Sequence, residues 1–79
     1  MITIWARNDC MACLQTKQLC DAMGFKYEYH NIDEDMQART EFMECFPGSL
    51  AVPIIDWNGE VFQGYNKFAE AVENNIQNY

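Results

Sequence analysis

Two cysteines separated by two residues, Cys10 and Cys13, are the part of this sequence best suited to chemistry. They follow a short β-like run and stand where a helical pattern begins. Free backbone N–H groups and the helix dipole at that point favour a thiolate, the nucleophilic form of cysteine. The second thiol, one turn further on, is close enough to form a disulfide with the first. The spacing therefore predicts a dithiol–disulfide redox centre.

Metal binding is the main alternative for this pair. A structural zinc site needs four ligands, which usually come as two paired motifs. The other candidate ligands, Cys20, Cys45 and His30, are scattered without paired spacing. Redox chemistry is therefore favoured, and no metal site is predicted. A purely structural disulfide across so short a loop would add little stability.

Composition limits the classes of function. The 79 residues, 49% of them hydrophobic, are enough for one small domain, 1–79. A net charge of −7 argues against nucleic acid and anionic membranes as partners. The N-terminus lacks the pattern of a signal peptide, and no apolar run approaches the roughly 20 residues of a membrane span. We expect a monomer in the cytoplasm, where such a cysteine pair is more often catalytic than structural.

Hydrophobic periodicity predicts the element order β-α-β-α-β-β-α. Asn58-Gly59 is a strong signal for a two-residue hairpin turn between the last two strands. The last helix carries an apolar stripe of Phe68, Ala71, Val72 and Ile76. The predicted bounds are strand 2–6, helix 11–23 closed by Gly24, strand 25–32, a helix capped by Asp33 and running to Cys45, strands 52–57 and 60–63, and the final helix after 64–66.

Three motifs on this element order resemble the glutaredoxins, members of the thioredoxin fold. They are the basic Arg7 three residues before Cys10, the segment Ala51-Val52-Pro53, and the glycine turn Gly64-Tyr65. The resemblance is strongest to the short forms, which include phage-encoded glutaredoxins and the NrdH-redoxins that reduce ribonucleotide reductase. It implies an α/β, thioredoxin-like fold with a four-stranded mixed sheet flanked by three helices.

The predicted roles of the two thiols agree with the mechanism of that family. Cys10, at the exposed helix end, is the expected nucleophile, and Cys13, one turn inside, is the expected resolving thiol. Arg7 should help to hold the thiolate charge, whereas Asp9 should oppose it. We expect a pKa of Cys10 below the free value of about 8.5.

Further substrate-binding residues are implied by the resemblance. Pro53 corresponds to the family's cis-proline, and Val52 before it would pair with the extended backbone of a glutathione or protein substrate. The alternative is a trans-proline that opens an edge strand. Arg39 lies where some members bind a glutathione carboxylate, although an exposed arginine paired with nearby acids is an equally good interpretation. The remaining candidates are Met11, Ala12, Ala51, Gly64, Tyr65 and Asn66, of which Asn66 could cap the last helix.

Departures from the family pattern concern the electron donor. No acidic residue follows Gly64 at the place where many members hold the amine of glutathione. The Gly64-Tyr65 pair is closer to the NrdH type, which takes electrons from thioredoxin reductase. No bound cofactor is expected, and glutathione and thioredoxin reductase both remain possible reductants.

The leading hypothesis is a glutaredoxin-type oxidoreductase that reduces protein disulfides or glutathione mixed disulfides, with ribonucleotide reductase the family's typical client. The alternatives are a metal or iron–sulfur binder and a partner-binding module that uses its acidic surface. If the short chain is phage-encoded, its location would be the host cytoplasm. Cys20 is predicted to be a small buried residue and His30 a structural one. Cys45, near a helix end, is expected to be buried as well, although an exposed thiol at that place could oxidise or dimerise.

Overall fold

The computed structural model describes residues 1–48 and 51–77, and for 75–77 it describes the backbone only. Its seven elements follow the predicted order, which confirms the α/β fold class. None of the three helices, within the described residues, is long and apolar enough to cross a membrane. The elements are β1 (Ile2–Ala6), α1 (Met11–Met23), β2 (Tyr27–Asn31), α2 (Met36–Cys45), β3 (Ile54–Trp57), β4 (Glu60–Gln63) and α3 (Tyr65–Gln77).

The strands form one mixed sheet in the order β2-β1-β3-β4. β1 pairs with β2 in parallel and with β3 in antiparallel orientation, so the strand that leads to Cys10 is central. β3 and β4 form the predicted hairpin. Its turn residues Asn58 and Gly59 both have positive φ, 53° and 96°, as a type I′ turn requires.

Each face of the sheet has its own buried cluster because side chains alternate along β1. Ile2, Ile4 and Ala6 pack with residues of α1 and α3, among them Cys13 and Phe68. Trp5 points to the other face, where it packs with Ile32 and with Ala38 and Phe42 of α2. The three helices therefore flank the sheet on both sides, and the start of α1 lies at the end of a rigid central strand.

Some ends of the helices and strands agree with the prediction and others do not. β1 and α1 have the predicted bounds, and Gly24 closes α1 with φ of 71°. β2 is shorter than predicted, and β3 begins at Ile54 rather than at residue 52. The predicted start of β3 was wrong, because Val52 and Pro53 lie outside the strand. Of the α3 stripe, Phe68 and Val72 are buried, Ala71 is half-buried, and the side chain of Ile76 lies outside the described residues.

The start of α2 also differs from prediction. Asp35, not Asp33, is the N-cap, and its Oδ1 accepts hydrogen bonds from the backbone N–H groups of Gln37 and Ala38. Asp33 instead accepts hydrogen bonds from Arg7 and Asn8, which lie far from it in sequence. A long-range contact therefore decides which acidic residue caps this helix.

Candidate functional site: the dithiol and its surroundings

Cys10 and Cys13 form a disulfide at the start of α1, with their Cα atoms 5.2 Å apart. Cys10 is the N-cap residue, and its Sγ accepts a hydrogen bond of 3.1 Å from the backbone N–H of Cys13. Cys10 is half-buried, whereas Cys13 is 0% exposed. A thiolate formed at Cys10 would therefore keep this N–H donor and the favourable end of the helix dipole.

The segment 7–9 carries the chain from β1 to this helix start. Asp9, directly before Cys10, has a positive φ of 55°, which is uncommon for a residue with a side chain. The segment is held by Asp33, whose Oδ2 accepts a hydrogen bond of 2.9 Å from the backbone N–H of Asn8. The position of Cys10 is thus fixed from the connection between β2 and α2 as well as from β1.

Arg7 was predicted to stabilise the thiolate, and the structure shows that a carboxylate already binds it. Its Nε donates to Oδ1 of Asp33 at 3.1 Å, and both side chains remain partly exposed. The pKa of Asp33 is lowered, first by the hydrogen bond from Asn8 and then by Arg7, with a smaller contribution from Arg39. Sequence analysis missed this role of Asp33 because nothing local in the sequence links it to Arg7.

A surface pocket of about 580 Å³ lies beside Cys10 on the side of β2. Met11 and Leu14, three residues apart on α1, are 70% and 49% exposed there. Leu14, Tyr29 and Asn31 were not among the predicted site residues, although the i, i+3 spacing of Met11 and Leu14 could have indicated a shared apolar surface. The pocket is lined by Arg7, Asn8, Asp9, Cys10, Met11, Leu14, Tyr29 and Asn31.

A second pocket, of about 480 Å³, lies against α1 at the start of α3. It brings together the predicted residues Ala12, Gly64, Tyr65 and Asn66. Asn66 lies inside the first turn of α3, so the suggestion that it caps this helix was wrong. The full lining consists of Ala12, Gln15, Gln63, Gly64, Tyr65, Asn66 and Lys67.

The segment around Pro53 is connected to the start of α3. The Val52–Pro53 bond is cis, as the resemblance implied. The backbone N–H of Gly64 donates to the Pro53 carbonyl at 2.8 Å, which links this segment to the start of α3. Pro53 is buried, Val52 is half-buried and Ala51 is exposed.

Arg39 stands apart from the other predicted residues. It is exposed on α2 and lines neither the pocket beside Cys10 nor the pocket at the start of α3. Its charge acts on Asp33, whose pKa it helps to lower. This placement agrees with the interpretation of Arg39 as an exposed arginine near acidic residues.

The other two cysteines differ from each other. Cys20 is 0% exposed, and burial, assisted by the charge of Asp21, raises its thiol pKa to about 11. Cys45 is exposed at the end of α2, so its predicted burial was wrong. The half-buried Phe46 packs against Trp5 and Phe42, with ring centroids 5.3 and 5.6 Å away. Phe46, rather than Cys45, therefore contacts the buried cluster at the end of α2. Across residues 1–48 and 51–77, no group of three or more His, Cys, Asp or Glu side chains is arranged to hold a metal ion.

Comparisons with known proteins agree with this geometry. The family model described as Glutaredoxin matches residues 2–62. An uncharacterized glutaredoxin-like 8.6 kDa protein from the rubredoxin operon of Clostridium pasteurianum is 30% identical over 67 residues, which cover 85% of this chain and 88% of that protein. The glutaredoxin-like protein NrdH of Escherichia coli K12 is 43% identical over 37 residues, which cover 47% of this chain and 46% of that protein.

Solved structures show the same relationship. The NrdH-redoxin of Escherichia coli has a TM-score of 0.67 and 30% identity, and the match covers 81% of this chain and 82% of that one. The thioredoxin-like protein BC3987 shares the fold, with a TM-score of 0.78 at 22% identity over 92% of this chain and 97% of that one. With its disulfide-forming Cys10–Cys13 pair at the helix start, this chain belongs to the glutaredoxin family of thiol–disulfide oxidoreductases.

Proposed function

We propose that this protein reduces disulfides of client proteins, with Cys10 as the nucleophile and Cys13 as the resolving thiol. The observation that carries the proposal is the asymmetry of the pair. The Cys10 sulfur lies at the N-terminus of α1 and accepts the Cys13 N–H, while Cys13 itself is fully buried. A client can therefore reach the first sulfur more readily than the second.

The proposed reaction has two exchange steps. The Cys10 thiolate attacks one sulfur of the client disulfide, which forms a mixed disulfide and releases the other client sulfur as a thiolate. Cys13 then loses its proton and attacks the Cys10 sulfur, which closes the Cys10–Cys13 bond and releases the second client thiolate. Two electrons pass from the dithiol to the client, whose two thiolates take up protons.

The segment before Pro53 is suited to align a client chain during these steps. Val52 lies outside the strands, and no hydrogen bond joins its backbone to another described residue. An extended client segment could therefore pair with the Val52 backbone as an added strand. Ala51 and Val52 would contact the client residues on either side of its cysteine.

Thioredoxin reductase is the reductant that we favour for regenerating the dithiol. Among the described residues that line the pocket at the start of α3, Lys67 is the only charged one, and none of them carries a carboxylate that could bind the amine of glutathione. A lysine at this place would repel that amine. The structural similarity to an NrdH-redoxin, described as having a thioredoxin-like activity profile, supports the same donor.

Ribonucleotide reductase is the client that we propose, because NrdH proteins are among the relatives of this chain and NrdH-redoxins reduce that enzyme. Such a client implies a location in the cytoplasm, or in the host cytoplasm if the protein is viral. Glutathione-dependent reduction of small mixed disulfides is the second candidate, since the helix N-terminus in the α3 pocket could still bind a carboxylate of glutathione.

Two coupled assays of NADPH oxidation distinguish these donors. One contains thioredoxin reductase and a protein disulfide, and the other contains glutathione, glutathione reductase and a small mixed disulfide. We expect turnover in the first assay and little in the second. Turnover only with glutathione would contradict the proposed donor, and no turnover in either assay by the folded, reduced protein would contradict the proposed function.

Two cysteine variants serve as test and matched control in both assays. Cys10→Ser should abolish turnover, because serine cannot form the mixed disulfide. Cys45→Ser removes an exposed thiol at the end of α2, away from the Cys10–Cys13 pair, and should leave turnover unchanged. Loss of activity in Cys45→Ser would mean that the exposed thiol takes part in the reaction.

A further inference from the structure

The segment that precedes Cys10 is bound by one carboxylate at two points. Oδ1 of Asp33 accepts a hydrogen bond from the Arg7 side chain, and Oδ2 accepts one from the backbone of Asn8. The distances are 3.1 and 2.9 Å. Asp33 therefore controls both the path of the chain toward Cys10 and the position of the Arg7 guanidinium.

Asn31, at the end of β2, supports this arrangement from the other side. Its Nδ2 donates to Oδ1 of Asn8 at 2.9 Å. Its Oδ1 accepts the backbone N–H groups of Asp33 and Glu34, at 2.9 and 3.2 Å. The same residue thus holds Asn8 and fixes the turn that carries Asp33, so the Asp33 carboxylate is positioned before any substrate arrives.

The charges around Cys10 make this contact chemically relevant. Among the described residues that line the Cys10 pocket, Arg7 is the only cation and Asp9 the only carboxylate, and Tyr29 contributes a phenol. Lys17 lies over the Tyr29 ring, 5.5 Å from its centroid, and Arg39 acts on Asp33 from α2. Arg7 is therefore the cation best placed to stabilise a Cys10 thiolate, and Asp33 is the group that offsets its charge.

We propose that Asp33 is a positioning residue that restrains Arg7 and thereby limits the stabilisation of the Cys10 thiolate. The Arg7 Nε is bound by a carboxylate whose charge partly cancels the charge of the guanidinium. When the Asp33 charge is removed, Arg7 acts on the thiolate with less opposition and is free to approach it. The proposal rests on the proposed role of Cys10 as the nucleophile.

A double-mutant cycle between Asp33→Asn and Arg7→Gln tests the proposal. The measured quantity is the pKa of the Cys10 thiol in the reduced protein, from the pH dependence of thiolate absorbance, in a Cys45→Ser background. We expect Asp33→Asn to lower this pKa by about half a unit while Arg7 is present. In the Arg7→Gln background the same change should lower it by less than half as much, because the restrained cation is gone.

The reduction potential of the Cys10–Cys13 pair is a second measurement. A purely structural role of Asp33 would not make this potential less negative. A more stable thiolate favours the reduced dithiol, so Asp33→Asn should make the potential less negative. Glu34→Gln is the matched control: it removes one charge from the neighbouring residue, whose side chain has no hydrogen bond to the segment 7–9. It should shift the pKa less than Asp33→Asn does, and equally in both backgrounds.

An equal shift from Asp33→Asn with and without Arg7, or no shift in a folded variant, would overturn the proposal. If Asp33→Asn proves poorly folded by its thermal midpoint, Asp33→Ser gives the same test with a short hydrogen-bond acceptor. Neither measurement requires a client or an electron donor. Failure here is therefore distinguishable from failure of the proposed function, which is judged by turnover.

Discussion

The first turns of α1 and α2 have the same geometry and different chemistry. The N-cap residues Cys10 and Asp35 have nearly equal backbone angles, φ −117° and ψ 102° against φ −114° and ψ 108°. In both helices the side chain of the N-cap residue accepts the backbone N–H three residues further on. That donor belongs to Cys13 in α1, at 3.1 Å, and to Ala38 in α2, at 3.3 Å.

The difference lies in the accepting atom. Aspartate is among the best N-cap residues, and Asp35 binds a second N–H, from Gln37. Sulfur is a weak acceptor and contributes less as a cap, but at the same position it can become a thiolate stabilised by the helix. The protein thus uses one local geometry for stability at α2 and for reactivity at α1.

Cys10→Ser should remove the reactivity of the N-cap residue of α1 and keep its contribution to stability. Disulfide reduction should fall to the background of the coupled assay, because the nucleophile is lost. Serine is a favourable N-cap, so the free energy of unfolding should equal that of the reduced wild-type protein or exceed it by up to about 1 kcal/mol. Urea unfolding under reducing conditions measures the second quantity. Retained activity would refute the assignment of Cys10.

Cys13→Ser should stop the reaction halfway. Cys10 can still attack a client disulfide, but no resolving thiol remains, so a stable mixed disulfide should accumulate and be visible by mass spectrometry. Because Cys13 is fully buried, we also expect a stability loss of about 1–3 kcal/mol from the poorly paired hydroxyl. Multiple turnovers at the wild-type rate would show that another group resolves the intermediate.

The far end of α1 should respond to alkaline pH. The pKa of Cys20 is raised from an ordinary value of 9.0 to about 11, so folding favours the protonated thiol. Its contribution to stability is complete below pH 9 and is lost as the pH rises toward 11. Tyr27, whose pKa its hydrogen bond to Asp21 raises from 10.0 to about 12, acts in the same direction at higher pH.

Urea unfolding of the reduced protein at a series of pH values checks this prediction. Stability should decline between pH 9 and 11, in the range set by the Cys20 thiol. A Cys20→Ala variant, although less stable throughout, should show a flatter decline over that range. An identical decline in the variant would mean that other groups cause the alkaline loss.

Asp35→Ala should lower the stability of the protein slightly and leave its turnover unchanged. Two N–H groups of α2 would lose their acceptor, which should lower the free energy of unfolding by about 1 kcal/mol. Asp35→Ser retains a hydrogen-bond acceptor, so it should lower the free energy of unfolding by only a few tenths of that amount. A clear fall in turnover, with the protein still folded, would indicate that the start of α2 communicates with the dithiol.

The sequence was most informative where local patterns decide the structure. β1 is a short apolar run that is buried in the centre of the sheet, and α1 is closed by Gly24, whose positive φ suits glycine. Both elements have the predicted bounds, and together they place Cys10 at the helix start. The position of the dithiol therefore followed from periodicity and helix-end residues alone.

The predictions were wrong where a residue distant in sequence determines which of two neighbouring residues caps a helix or is buried. Asp33 and Asp35 are both suitable N-caps, and Asp33 is withdrawn from that role by Arg7 and Asn8. Cys45 has the helical spacing of a buried residue, but Phe46 packs against Trp5 instead. Neither contact has a signature in the sequence, since each depends on how α2 and its preceding connection lie against the end of β1.

The most direct test of the account is the order in which the cysteines of the reduced, folded protein react with iodoacetamide near neutral pH. Peptide mapping by mass spectrometry would follow each site over time. We predict that Cys10 is alkylated first, ahead of the exposed Cys45, with Cys13 and Cys20 protected by burial. Alkylation of Cys45 or Cys13 before Cys10 would contradict the claim that the start of α1 activates the Cys10 sulfur.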